Sequence, residues 1–191
     1  MASPLAHGMV GLAVTAWAWL PSGIRSRDLV SEVLRRPGLW VAGILLASLP
    51  DLDYLPGILA GDLNAYHHLA THSILWIATT GSGLLLLAWA ITNRISLRVI
   101  LWVMTLLASH LVIDMLTVDG RPPLGIPLVW PWSGESFQFP VLIFEGFQKK
   151  NWYDIWQWAN LHVLGVELLW TLPVLVATLT IKTCNRKGEL T

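Results

Sequence analysis

The chain has 191 residues, 54% of them hydrophobic and only 13% charged, with no formal net charge. So little polar surface cannot coat a soluble domain of this length, and no basic stripe is present to neutralise phosphates, so a soluble globule and a nucleic-acid partner are both excluded as expectations. A positive mean hydropathy makes residues 1–191 a single integral membrane domain of the all-α class, a polytopic helical bundle of about five transmembrane helices plus an amphipathic surface helix.

In chain order, Ser3 and Pro4 read as an N-cap and first helical position, opening an apolar helix through about Leu20 whose only ionisable side chain is His7. No Lys or Arg precedes Arg25, which argues against a cleavable signal peptide. "RSRDLVSEVLRRPG" has apolar residues at helical spacing and reads as the surface helix. The apolar run Leu39 to Leu49 is short for a crossing and ends at Pro50. Two longer runs, Ser73 to Thr92 and Ser96 to Thr117, suffice to span, as does a last one at 161–181 that contains Pro173. Between them, 118–160 is a Pro-, Gly- and Trp-rich stretch, too long for an idle loop. The lone cysteine, Cys184, offers neither a disulfide nor a thiolate metal site.

Basic residues set the expected orientation. Arg25, Arg27, Arg35 and Arg36, then Arg94 and Arg98, then Lys182, Arg186 and Lys187 fall on one side after alternate crossings. The positive-inside rule makes that side cytoplasmic, with the N-terminus outside and the C-terminus inside; the 118–160 loop holds Arg121, Lys149 and Lys150, yet alternation of five spans still puts it outside. Five of the six histidines and three aspartates then converge on the outer face: His7, Asp51, Asp53, His67, His68, His72, His110 and Asp114. His110 and Asp114 are one helical turn apart, and His68 and His72 share that spacing. Asp51 and Asp53, bounded by prolines, would point the same way from an extended segment.

Imidazole and carboxylate without thiolate is a donor set for zinc, manganese, iron or cobalt. His7, Asp51, Asp53, His67, His72, His110 and Asp114 are therefore the expected metal ligands, for one to two divalent ions. Asp53 and His68 are the expected catalytic groups, one to orient or deprotonate a metal-activated water. Arg121, Trp130 and Trp132 are the expected substrate-binding residues at the bilayer surface. His162 and Glu167, five apart, do not share a helix face and are left as a ligand or a proton-relay group.

The segments "SPLAHGMVGLAV", "LPDLDYLPG", "HHLATHS", "SHLVIDMLTVDG" and "GIPLVWPWS" resemble, in that order, the YdjM-like, LexA-regulated inner-membrane proteins, a family predicted to be metal-dependent hydrolases. The resemblance covers about residues 3–133, the expected metal-site core, and extends more distantly to zinc-dependent phospholipase C and the P1-type nucleases. It implies a bacterial or archaeal cytoplasmic membrane protein with a multinuclear zinc site, in which His7, the Asp51 and Asp53 pair, His72, and the His110 and Asp114 pair occupy the family's motif positions. It further implies hydrolysis of a phosphoester, most simply in a lipid, given the bilayer setting. Two departures stand out: His67 and His68 replace the usual His-Arg, and the late pair His162 and Glu167 lacks the His-x3-Glu spacing that a third zinc uses in the soluble phospholipases. The rival expectation is a metal or proton transporter, against which stands the scarcity of ionisable residues in the cytoplasmic halves of the spans.

Overall fold

The computed structural model describes residues 2–62, 66–120, 122–148 and 152–184. It is all-helical, with seven α-helices and no strand among the described residues: α1 Pro4–Trp19, α2 Leu29–Arg35, α3 Pro37–Ala47, α4 Tyr54–Ala60, α5 Ile74–Thr92, α6 Leu97–Met115 and α7 Trp158–Cys184. Helix starts follow local chemistry. The Ser3, Ser73 and Ser96 hydroxyls accept from the backbone N–H groups of Leu5, Trp76 and Val99, satisfying donors that have no intrahelical partner.

Length and composition make α5, α6 and α7 long and apolar enough to cross a membrane, and α3 with the helical stretch after it, bent by 63°, would make a fourth. The fifth expected crossing, α1, has sixteen residues and so spans ~24 Å against the roughly 30 Å of a hydrocarbon core. It ends at Trp19, with Leu20 as its C-cap just before Pro21, and is the helix on which α3, α6 and α7 all pack. The surface helix is present but short: in α2, Leu29 and Val33 pack toward Trp40, while Val30 and Leu34 stay exposed.

Small residues set the α1–α3 crossing. A Cβ at Gly11 would lie 2.7 Å from the Gly43 carbonyl oxygen, and one at Gly43 would collide with the Thr15 hydroxyl. Backbones that approach this closely need glycine at the contact, as membrane helix pairs commonly use. Trp102 of α6 locks the crossing by donating its Nε1–H to Thr15 Oγ1 at 3.1 Å. Together these contacts bring the end of α3 against the first half of α1 and the last turns of α6.

The stretch after α6 is not a free loop. It returns over the end of that helix, where Phe139, Ile143 and Phe144 N–H groups reach the carbonyls of Met115 and Leu116 that no further helical turn could satisfy. Farther along, the Leu128 carbonyl accepts from Ile74 N at 3.0 Å, fastening the Trp-rich segment to the start of α5.

Candidate metal centre

The site is assembled from the N-terminal half of α1, the 3-10 turn Leu49–Asp53 after α3, the 3-10 turn Ala70–His72 before α5, and the last turns of α6. Glu167 of α7 fixes the start of α1: its carboxylate accepts from the Ser3 backbone N–H at 2.5 Å and from the Ser3 hydroxyl. One turn on, His7 is fully buried and stacks on His110, ring centroids 3.9 Å apart.

Proton positions follow from the partners. The Ala47 carbonyl at the end of α3 can only accept, so His110 Nδ1, 2.8 Å away, carries the hydrogen. The Thr71 hydroxyl donates to Asp53 Oδ2 at 2.7 Å and is left to accept from His72 Nδ1 at 2.9 Å. Both imidazoles, when neutral, therefore present a bare Nε2 lone pair. Those two Nε2 atoms face each other at 3.2 Å and lie 3.3 and 3.2 Å from Asp114 Oδ2. Asp51 Oδ1 is 3.8 and 3.7 Å from the same pair. Donor atoms of Asp51, His72, His110 and Asp114 all fall within 4.8 Å of one another. Lone pairs of this kind, facing one another away from water, repel unless a cation or an added proton lies among them. The residues fit a divalent cation in donor type, number and burial.

A second set adjoins the first. His67 Nδ1 is 2.6 Å from Asp53 Oδ1, its ring stacked on Tyr54 at 4.0 Å. His67, His68 and His72 form a second group of converging donors, and Asp51, Asp53 and His67 a third. His68 adopts φ +61°, a left-handed backbone that costs a non-glycine residue energy. That turn aims Nδ1 at Asp119 Oδ2, 3.3 Å away, and the same oxygen accepts from Gly125 N at 3.2 Å.

Two of these groups, outside the spanning helices, have perturbed protonation. Burial opposes charge on His72, but its contacts with Asp114 and Asp53 outweigh burial and raise its pKa to about 9. Burial also dominates at His68, where the Asp119 contact does not compensate and the pKa is lowered.

Of the residues expected from sequence, the structure gathers Asp51, Asp53, His67, His68, His72, His110 and Asp114 in this cluster. His7 lies alongside, its Nε2 3.6 Å from Asp114 Oδ1, outside the three groups of converging donor atoms. Asp51 and Asp53 sit on a 3-10 turn, not an extended segment, yet both reach His67 and His72; Asp51 also approaches His110, and Asp53 accepts from Thr71. His68 and His72 do not lie on one helix either, since only Ala70–His72 is helical there. Trp130 and Trp132 are exposed, and Arg121 lies outside the described residues. His162 pairs with Glu145 at 3.1 Å at an exposed position, and Glu167 accepts from the backbone N–H and hydroxyl of Ser3, the α1 N-cap. Sequence reasoning missed Asp119, Thr71 and the Ala47 carbonyl. Asp119 had a usable signal, an acid five residues past Asp114 on the expected outer face.

Comparison with known proteins agrees with the motifs. Residues 1–188 match the model of the YdjM inner membrane protein family. The chain belongs to that family. It is also similar to inner membrane protein YbcI of Escherichia coli (strain K12), with 32% identity over 107 residues, 54% of this chain and 60% of that protein. The aligned part thus spans less than two thirds of that relative's length. No solved structure matches. YdjM-family membership carries membrane placement, and the clustered His and Asp groups could hold a metal ion.

Proposed function

We propose that this YdjM-family chain is a membrane-embedded, metal-dependent hydrolase that cleaves a phosphoester of a lipid at the extracytoplasmic face. The observation that carries the reading is the pair of His72 and His110 Nε2 lone pairs, both turned toward Asp114 and Asp51 in a buried setting. A divalent cation held by these four residues, zinc foremost, would supply the charge that polarises a water and the phosphoryl oxygen. His68 is the candidate base. Burial keeps it neutral, Asp119 holds its Nδ1, and its Nε2 makes no hydrogen bond among the described residues, so it can take a proton from an attacking water. Asp53 orients His67 directly and His72 through Thr71, as carboxylates behind histidine ligands do. Lipid is favoured because Trp130 and Trp132 are exposed on the segment fastened two residues after His72, where rings of this kind suit the membrane interface.

The orientation belongs to the same reading. Arg98 and Lys182 stand at the end of the bundle remote from the histidines, with Lys182 Nζ on the Leu20 carbonyl at 3.0 Å. The positive-inside rule puts that end, and the C-terminus, in the cytoplasm. The test is metal analysis of protein purified in detergent, with turnover of phosphatidylglycerol and phosphatidate in mixed micelles before and after chelation. Stoichiometric zinc, chelator-sensitive turnover and recovery on adding zinc are expected. Metal-free protein, or bound metal with no turnover and uptake into sealed vesicles, would overturn the hydrolase reading.

A further inference from the structure

α6 and α7 both pack on α1 and leave a groove of about 1140 Å³ between them, with its mouth at the end of the bundle opposite the histidines. Each helix lines it with one stripe. Val10, Val14 and Trp17 of α1 are spaced by four and three, and Val174, Thr178 and Lys182 of α7 by four, the spacing of a single helix face. The body of the groove is apolar and its mouth is basic, with Arg36, Arg98 and Lys182 around the rim. None of the three forms an ion pair with a carboxylate among the described residues. The one acid on the lining, Glu32, is held by Arg35 at 2.8 Å. Two of the cations lie over rim tryptophans, Arg98 over Trp19 at 5.7 Å and Lys182 over Trp17 at 5.2 Å, which steers them to the mouth. Trp19 adds a buried Nε1–H that donates to no atom among the described residues.

We propose that this groove binds one anionic phospholipid of the surrounding bilayer, its phosphate among Arg36, Arg98 and Lys182 and an acyl chain along the α1, α6 and α7 stripes. Charge complementarity selects the occupant: an apolar cleft with a cationic rim at the membrane interface suits a molecule with an apolar chain and an anionic head. A cleft between helices in a bilayer fills with hydrocarbon in any case, so the rim decides which lipid fills it. The cationic rim is remote from the candidate metal centre, whereas the apolar body runs along α1 as far as Val10, about one turn from His7. Arg98 and Asp114 stand sixteen residues apart on α6, ~24 Å along the axis.

The experiment is native mass spectrometry of full-length protein released from nanodiscs of equimolar phosphatidylglycerol and phosphatidylcholine. Retained phosphatidylglycerol is expected in at least tenfold excess. The double variant Arg98→Gln/Lys182→Gln should lose that excess, while Arg94→Gln, a nearby cation that does not line the groove, should keep it. Thermal shift by added lipid gives a second readout, in which glycerol phosphate at the same concentration should do nothing. Equal retention of both lipids, an Arg94→Gln variant as impaired as the double variant, or an equal shift by glycerol phosphate would each overturn the proposal. If the double variant does not fold, Arg36→Gln alone should lower the excess severalfold, and an unchanged excess there counts against the proposal. Metal content, set at the far end, should not change in any of these variants.

Discussion

The two ends of α6 handle charge in opposite ways. Near its C-terminal end, His110 and Asp114 are fully buried among other imidazoles and carboxylates, and that cluster carries more acceptor lone pairs than hydrogens to fill them. Near its N-terminal end, Arg98 is exposed at the rim of an apolar groove, with no carboxylate partner among the described residues. Burial is tolerable at the first end only if something positive joins the cluster. The second end keeps its cations hydrated and can wait for an anion from outside. One helix therefore links a site whose electrostatics ask for a cation to one that asks for an anion.

The largest expected effect removes the charge at the buried end. Asp114→Asn should weaken cation binding by about 3 kcal/mol, roughly 100-fold, because Asp114 Oδ2 faces both His72 and His110 Nε2. Competition titration with a zinc indicator measures it. Retention of full affinity would mean that the four donors do not share an ion. By contrast, Arg98→Gln at the other end should leave the affinity untouched.

The next effect is a pH dependence confined to the buried end. The His72 pKa is raised from 6.5 to about 9, so protonation stabilises the metal-free fold. That stabilisation is fully present below about pH 6.5 and is lost as pH rises through about 9, on the order of 3 kcal/mol in all. The melting temperature of metal-stripped protein should therefore fall between those limits. A bound cation displaces the proton, so its affinity should rise with pH over the same window, by up to about tenfold per unit. A metal-stripped protein whose melting temperature is flat from pH 6.5 to 9 would mean that His72 does not carry the compensating proton.

A packing change reaches the same end indirectly. Gly43→Leu should cost about 1–3 kcal/mol, read as a lower melting temperature, because any Cβ there runs into Thr15 at the α1–α3 contact. Gly83→Leu is the control, since nothing lies within 4 Å of a Cβ built there. Comparable losses from both would point to glycine-to-leucine effects on the helices themselves.

Local spacing made one part of this molecule readable from sequence. Ser3 with Pro4, Ser73 and Ser96 mark helix starts by their own chemistry, and the four-residue step from His110 to Asp114 marks a shared face. Hydrophobic runs with basic flanks sorted the ionisable residues to one end. What escaped depends on contacts between segments. The 3-10 conformation of Leu49–Asp53, where the sequence suggests an extended segment, is one such feature. The positive φ of His68 has no signature in "HHLATHS". Sequence shows the burial cost of Glu167 without showing Ser3, whose backbone N–H and hydroxyl both donate to it. The tautomer of His110 rests on the Ala47 carbonyl, a backbone atom sixty-three residues away.

The smallest expected effect tests a residue that only the fold identifies. Asp119 meets His68 and Gly125 through the same carboxylate oxygen. Asp119→Asn keeps an oxygen able to accept from Gly125 N and His68 Nδ1, so the loop and the imidazole direction should survive. What goes is the negative charge that favours a proton on His68. If His68 takes a proton from water, the variant should turn over a lipid phosphoester about tenfold more slowly, with KM and metal content little changed. The acid limb of its pH–rate profile should move to lower pH, because His68 without the Asp119 charge loses its proton more readily. A variant that loses metal instead would make Asp119 a support for the donor cluster, and His68 would then belong with His67 and His72 as a ligand.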